Sequence, residues 1–584
     1  MLGVGSGGGG TVATPTFSPV AGSYASAQTV TITCSTGASS IYFTTDGTTP
    51  TFPITGTTTL YTGPLTVSAT ETIKAIGVAT GLTNSPVGSA SYVISGGVTF
   101  AHFISTTGSD SNVGSLASPW AITAINTKQS TYAGTNLGIM PGIYDVSLLM
   151  QAAGYEGAVL QIQGGPNSST LTYIGTCDSS GNYQAGTATL DAFGSVGQYG
   201  GGNTTHTPYI LGQTVHGTGT GPQPTNWGNW IVDGFIFIGF SNWAMSIGGG
   251  VDITPSTASN CTIINCTFAN GLTSAVGTHP AALILYQYNN VLVSNCLFYN
   301  NGSTQTDNTH SGASITGEGF GSGGSSGLTI EFCSFIKSQG NYVFQDNGNA
   351  SNTTTRYCYF DFTPATNVAN VYAAEGMTNP STGLSGSSFH HNIIVQGGVI
   401  DNVGFQASDT GSPYSAYNNT WIRGADNNLG IRLVTTGVAG LITAYNNLMY
   451  DNDDTTGTTY GYMAASSNGF ALCDYNIYGS NMSGTQFTTF SASGGQGGQV
   501  SQTFTSWKSA IGGLEAHSTI NNTNPFTSGG TTFPSLAYQV VSGSPAFQTG
   551  HVGGVSGGTL CNVGAWDGTV TQIGSNLPIP GTTP

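Results

Sequence analysis

The chain has 584 residues, of which 5% are charged, and its formal charge is −17 with only seven Lys and Arg. That balance excludes a basic nucleic-acid surface and attraction to an anionic membrane, and no apolar run approaches the ~18 residues of a membrane span. Hydrophobic residues at 38% and aromatics at 10%, recurring in short runs such as IVDGFIFIGF and AALILYQY, exclude wholesale disorder and predict a buried β core, divided over more than one domain.

The first element, residues 1–12, is glycine-rich and starts MLGVGSGGGG. It has no basic n-region, apolar h-region or small-residue cleavage site. This predicts either a signal already removed or an exit other than secretion, such as virion assembly followed by lysis. A glycine-rich tail is ordered only when something holds it, so the segment is read as an anchor docked on other virion proteins. Residues 13–96 form the next unit. The alternation in TVTITC and SIYFTT marks half-buried strands, and Asp46-Gly47 supplies a turn between strands.

From 97 to 480 the dominant signal is a repeat. Gly234, Cys266, Cys296, Cys333, Cys358, Asn392, Asn419, Asn447 and Asn476 recur roughly every thirty residues, the period of a solenoid. Its content is strand-like. Each rung is then several short parallel strands, and rungs stack ~4.8 Å apart. A small thiol fits a narrow corner, and an Asn amide bonds to the layers above and below it, as in side-chain ladders. The next-but-one residues, among them Phe268, Phe298, Phe335, Phe360, Ile394, Trp421 and Met449, are predicted to point into the core. The nine cysteines show no metal-type spacing and are read as buried thiols. Residues 481–584 are read as the final rungs and a C-terminal cap.

Several stretches resemble known families. IYFTTDGTTPT (Ile41 to Thr51), then Tyr61, Gly63, Pro64 and the closing ASYVIS, resemble the Ig-like module at the C-terminus of chitobiases and β-hexosaminidases. That resemblance implies an accessory β-sandwich without catalysis. FISTTGSDSNVGSLASPW (Phe103 to Trp120) and AGTNLGIMPGIYDV resemble the cap and first rungs of bacterial pectate-lyase-like proteins, with Gly134-Thr135-Asn136 where an acidic residue is common. VVSGSPAFQTG and NVGAWDG resemble the closing segment of the same group, with Asn562 in place of its usual Asp. The fold implied is all-β: a right-handed, single-stranded parallel β-helix preceded by a small Ig-like sandwich. This superfamily hosts lyases, hydrolases, epimerases and adhesins, so fold alone does not assign activity.

The longest step between repeats, Cys296 to Cys333, holds the largest loop, with Asp307, His310 and Glu318; Lys337 and Asp346 follow. In so uncharged a chain this is a concentration. Paired carboxylates can act as acid and base on a glycosidic bond, and Lys337 can abstract a proton beside a uronate. The plainer alternative is a solvated polar loop. A second set, Asp361, Glu375, Asp401 and Asp409, lies one and two rungs later as a substrate-binding candidate; it leaves a Ca²⁺ site open, although no EF-type spacing supports one and no resident cofactor is expected. Asp451, Asp453 and Asp454 read as a solvated turn, and His279 and the His390-His391 pair as structural. Trp227, Trp230 and Trp243 are either core residues or flat faces for pyranose rings.

Three functions are weighed. The first is a virion-anchored bacteriophage spike, fibre or decoration protein that binds, and through the 307–346 region cleaves, a cell-surface polysaccharide; such spikes resemble trimers. The second is a secreted pectate-lyase-like lyase or hydrolase, opposed by the missing signal and the shortage of cations. The third is a purely structural surface filament. The first is the expectation carried forward, with an extracellular or virion location.

Overall fold

The computed structural model describes residues 10–192 with short interruptions, then chiefly the strands and tight corners of 209–521, and isolated positions between 546 and 577. The glycine-rich 1–9 stretch, and with it the docked-anchor expectation, lies outside the described residues. The chain divides into a small unit, Met1–Thr99 with Gly568–Gln572, and a large one, Phe100–Asp567 with Ile573–Pro584.

In the small unit, strands Thr16–Ser18, Gln28–Thr33 and Leu65–Val67 form one antiparallel sheet. A second, five-stranded sheet is ordered Gly22–Tyr24, Gly88–Ile94, Glu71–Val78, Ser40–Thr44 and Thr59–Leu60. Alternate residues of these strands bury Val30, Ile32, Phe43, Val67, Ile73 and Tyr92 between the sheets, the period-two pattern of a sandwich. Two quoted motif residues have local work. The Ile32 N–H donates to Tyr61 Oη at 2.9 Å, and Asp46 accepts from the Thr48 N–H at 3.0 Å. The Thr48 hydroxyl and N–H together hold the exposed Asp46 carboxyl down to about 2.

The large unit is a parallel β-helix. Its strands stack into three long sheets of 13, 12 and 13 strands. The first sheet runs from His102–Ile104 to Phe470–Asp474, the second from Gly142–Asp145 to Thr519–Ile520. The third carries Glu156–Gln161 through Phe487–Phe490 in parallel, with antiparallel partners at both ends. The entry motif closes the lower end: Trp120 is buried, its N–H donates to the Phe103 carbonyl at 2.8 Å, and its ring stacks on His102 at 4.5 Å.

The thiols and amides pile up in register at the corner between the first and second sheets. Each thiol of Cys266, Cys296, Cys333 and Cys358 donates to the carbonyl two residues back at 3.2–3.3 Å. Burial pushes the thiols of Cys266, Cys296 and Cys333 well above their ordinary pKa. The amide column then takes over: Asn392 donates to Asn419 at 3.2 Å, Asn419 to Asn447 at 3.2 Å and Asn447 to Asn476 at 3.1 Å. Ser518 ends it, accepting from the Asn476 N–H at 2.9 Å. Two residues on, Phe237, Phe268, Phe298, Phe335 and Phe360 stack with centroids 4.8–4.9 Å apart, which is the strand spacing itself.

One register differs from the sequence reading. Ile236 pairs with Thr267, so Phe235 lies beside Cys266, and Gly234 lies beside Asn265. Gly234 and Asn265 both take left-handed φ, 82° and 54°. The glycine therefore belongs to the column before the thiols, where a corner demands positive φ.

Candidate functional site

The outward face of the third sheet gathers the polar positions of the middle layers. Parallel pairing places Thr316, Gln345, Glu375, Gln406 and Arg432 in one column. The preceding column is Ile315, Phe344, Ala374, Phe405 and Ile431, and Ile315 belongs to the long core. Alternation along a strand therefore sets the Gln345–Arg432 positions on the face away from that core. At ~4.8 Å per layer, Gln345 to Arg432 covers about 14 Å of backbone. Below them, Ile284 and Thr316 continue the column and are buried.

This register separates the catalytic candidate Asp346 from the substrate-binding candidate Glu375. Asp346 falls in the column of Leu285, Gly317, Gly376 and Leu433, one position out of phase with Glu375. The two carboxylate positions alternate between sheet faces instead of converging. Asp307, His310, Glu318 and Asp401 lie outside the described residues, as does His279. Asp409 ends strand Asn402–Asp409 of the third sheet. Asp361 lies in the second sheet, where the Tyr359 hydroxyl donates to it at 3.3 Å; it does not share the column of Glu375.

Lys337 occupies the corner between the second and third sheets with φ 56°. Asn270 and Asn300 hold left-handed φ at the same corner, and Asn300 donates to Asn270 at 2.8 Å. Lys337 follows in that column. Its ammonium donates to Tyr299 Oη at 2.9 Å and lies 5.2 Å from that ring's centroid, a cation–π contact that anchors it on the layer below.

The tryptophan candidates resolve by burial. Trp230 is fully buried, and its indole N–H donates to Gln213 Oε1 at 2.8 Å. Trp243 is buried with Ala158, Ala281, Ile284 and Tyr286. Neither offers a face to a sugar, because both are packed on all sides; Trp227 is half-buried.

Sequence reasoning missed a polar ridge on the corner between the first and second sheets. Arg356 forks onto Glu331 Oε2 at 2.7 and 2.9 Å. Above it the Nδ1 atoms of His390 and His391 are 2.8 Å apart. His390, Tyr417 and Tyr445 stack at 4.6 and 4.9 Å, and His517 Nδ1 lies 2.7 Å from Asp474 Oδ2. Glu331, Arg356, His390, Tyr417, Tyr445 and Asp474 are successive members of one register column, which is the signal that finds them. Within this stack the rings face each other along the axis, so the ridge presents edges rather than sugar-binding faces.

Missed too was a buried carboxylate. Asp233 accepts from Tyr173 Oη at 2.6 Å, Tyr183 Oη at 2.5 Å and Asn265 Nδ2 at 2.8 Å. Burial pushes its pKa up to about 6 in spite of those donors. No group of three or more His, Cys, Asp or Glu placed to hold a metal occurs among the described residues.

Comparison with known proteins bears on both units. Residues 19–89 match the model of the chitobiase/beta-hexosaminidase C-terminal domain. A search of curated protein sequences gives no match. Among solved structures, the chain is similar to a GH136 lacto-N-biosidase from Eubacterium ramulus (9% identity, TM-score 0.35), covering 63% of this chain and 64% of that one. It is similar to a PL6 family polysaccharide lyase from Pseudopedobacter saltans (12% identity, TM-score 0.32, 69% and 90% covered). The tailspike protein of E. coli bacteriophage HK620 is a third (13% identity, TM-score 0.31, 62% and 67% covered). No residue role is carried over at these identities. The N-terminal module is a chitobiase/β-hexosaminidase C-terminal-type Ig-like domain, and the unit that follows it is a parallel β-helix.

Proposed function

We propose that this chain is a bacteriophage spike, fibre or decoration protein that binds host-surface glycan on the outward face of its third sheet and cleaves it there. The observation that carries the binding reading is the column Gln345, Glu375, Gln406 and Arg432. Two carboxamides, a carboxylate and a guanidinium follow one another at the strand spacing. Together they offer donors and acceptors suited to sugar hydroxyls. They do so on a shaft whose corners are fixed by ladders, so little ordering accompanies binding.

The virion assignment draws support from cysteine chemistry. Cys34, Cys177, Cys261, Cys266, Cys296, Cys333, Cys358 and Cys473 are free thiols, as suits a protein that folds in a reducing cytoplasm before release. Cleavage is the finer part of the proposal. Its candidates are Asp307, His310, Glu318, Lys337 and Asp346, while Glu375, out of phase with Asp346, stays on the binding side of the reading. Self-association, as a trimer, belongs to the same reading.

The test is incubation with polysaccharide from candidate host cells, reading affinity and product size. Glu375→Gln and Arg432→Ala are each expected to weaken binding about 10-fold or more, the equivalent of one hydrogen bond to a charged group. Unchanged affinity in both variants rejects this face. Products of unchanged size remove cleavage and leave binding.

A further inference from the structure

Among the described residues of the whole chain one aromatic ring is exposed, and it lies in the N-terminal module: Phe52, at 47%. Phe43 belongs to the core of that module, so Tyr42, its neighbour in strand Ser40–Thr44, faces the other side of the sheet. The Tyr42 ring backs that of Phe52, with centroids 4.9 Å apart. On the edge strand Thr59–Leu60, Leu60 pairs with Tyr42 and is exposed as well. A ring left in water adds nothing to folding. The flat face that buried Trp230 and Trp243 do not offer is found here.

The loop that carries Phe52 is held in one shape. The Thr51 N–H donates to the buried Thr58 hydroxyl at 3.1 Å, and the Thr58 N–H to the Thr55 carbonyl at 3.2 Å. The hydroxyl oxygens of Thr51 and Thr55 lie 2.6 Å apart, and those of Thr48 and Thr57 3.0 Å. The Thr48 hydroxyl also donates to Asp46 at 2.5 Å. Thr48, Thr51, Thr55, Thr57 and Asp46 are all exposed. Asp46 follows the strand of Tyr42 by two residues, so the two positions are at most about 14 Å apart along the chain. A short oligosaccharide therefore reaches both the ring and the carboxylate.

We propose that the N-terminal module holds a glycan site of its own, which seats the C–H face of a neutral, β-linked pyranose on Phe52 and bonds the sugar hydroxyls through Asp46 and the loop threonines. Chemistry, charge and size together choose this occupant. A pyranose with equatorial hydroxyls has a flat apolar face that matches an aromatic ring. A carboxylate and hydroxyls supply the acceptors and donors that its rim requires. An acidic polymer is excluded by charge: residues 1–99 hold Asp46, Glu71 and Lys74 and no other Asp, Glu, Lys or Arg. A protein partner is excluded by size, since a docking patch runs to several hundred Å² and this one is a half-exposed ring beside a leucine. Because the loop is already held, little ordering accompanies binding. The site shares no residue with the third-sheet column and stands or falls apart from it.

The experiment titrates cellotetraose, a neutral β-1,4-linked sugar, into the full chain by calorimetry and by saturation-transfer NMR read on the sugar ring protons. The unaltered chain is expected to bind at about 1 mM or tighter, with the strongest transfer to the axial C–H protons. Phe52→Leu keeps apolar bulk and removes the flat face; it should weaken binding about 10-fold. Phe52→Trp keeps the face and should bind as tightly as the unaltered chain or tighter, which separates loss of the ring from damage to the loop. Asp46→Asn should weaken binding about 5-fold or more. Absence of heat and of saturation transfer at about 10 mM sugar, or equal affinity of Phe52→Leu and the unaltered chain, overturns the proposal. Weakening by Glu375→Gln in place of Phe52→Leu puts the sugar on the shaft and overturns it too.

Discussion

Replacing Asn447 with Leu tests the amide ladder, because the volume is kept while every polar contact is lost. The Asn447 side chain is fully buried and takes part in four bonds. Nδ2 donates to the Ala416 carbonyl at 2.9 Å and to Asn476 Oδ1 at 3.1 Å. Oδ1 accepts from the Asn419 N–H and from Asn419 Nδ2, both at 3.2 Å. In the variant the Asn419 N–H is left buried without that partner, at a cost of about 1–3 kcal/mol, and three further bonds go at about 1 kcal/mol each. The expected loss is therefore about 4–6 kcal/mol, confined to the layers around residue 447. Because solenoid layers interact mainly with their neighbours, the assay is hydrogen exchange read layer by layer, alongside a denaturant midpoint. Strands Tyr414–Tyr417 and Ile442–Tyr445 should lose protection by two or more orders of magnitude, while Ala258–Ile264 keeps its own. Cys296→Ala is the control: it removes a weak donor and little volume, so its effect should stay near about 1 kcal/mol. Equal, small effects of the two variants would refute the idea that bonded amides, rather than mere small size, hold this corner.

Other expectations follow from the buried groups. Asp233, held at about 6 against an ordinary 3.8, binds its proton more tightly in the folded chain than in the unfolded one. Its contribution is fully present below about pH 4 and is lost as pH rises through 6, an effect of about 3 kcal/mol. Asp233→Asn should flatten the denaturant midpoint across that range, and an unchanged slope would count against burial as the cause. Cys266, Cys296 and Cys333, buried with raised pKa values, should escape iodoacetamide in the folded chain and react fully in denaturant, as mass spectrometry of the peptides would show. Gly228→Ala should prevent correct packing of its layer. Its φ is +78°, and the new Cβ would lie 2.1 Å from the Ser259 carbonyl oxygen; loss of expression or a midpoint drop of several kcal/mol would register it.

The architecture was legible because a solenoid repeats its physics. Cys266 to Cys358 and Asn392 to Asn476 announce one corner by residue type alone, and the phenylalanines two places on mark the core. The corner columns of Asn229, Asn260 and Asn290, and of Asn270 and Asn300, carry the same signal with the same left-handed φ. They are harder to read because no run of thiols marks them: Cys261, beside Asn260, has Trp230 and Val291 as its register partners. At Gly234 the reading slipped by one place: glycine and asparagine both satisfy a left-handed corner, and Phe235 does not resemble the thiols that follow it in its column.

The site was less legible, for a reason rooted in the same geometry. Side chains in a β-helix become neighbours by register, not by closeness in sequence. Glu331 and Arg356 meet across twenty-five residues and Asp474 and His517 across forty-three, so a local count of charges in the 300–346 region cannot find either pair. Nor can it show that Asp346 and Glu375 stand one position out of phase on pairing strands, where a shift of one position reverses the sheet face. Corner columns can be aligned from sequence because Asn, Cys and Gly are demanded there. The third sheet has no such marker between Ala313 and Arg432, and the segments that join its strands vary in length. Only pairing could show that Gln345, Glu375, Gln406 and Arg432 share a column. The chemistry of this shaft is therefore written across layers, and a substitution series that follows the column, layer by layer, is the form of evidence suited to reading it.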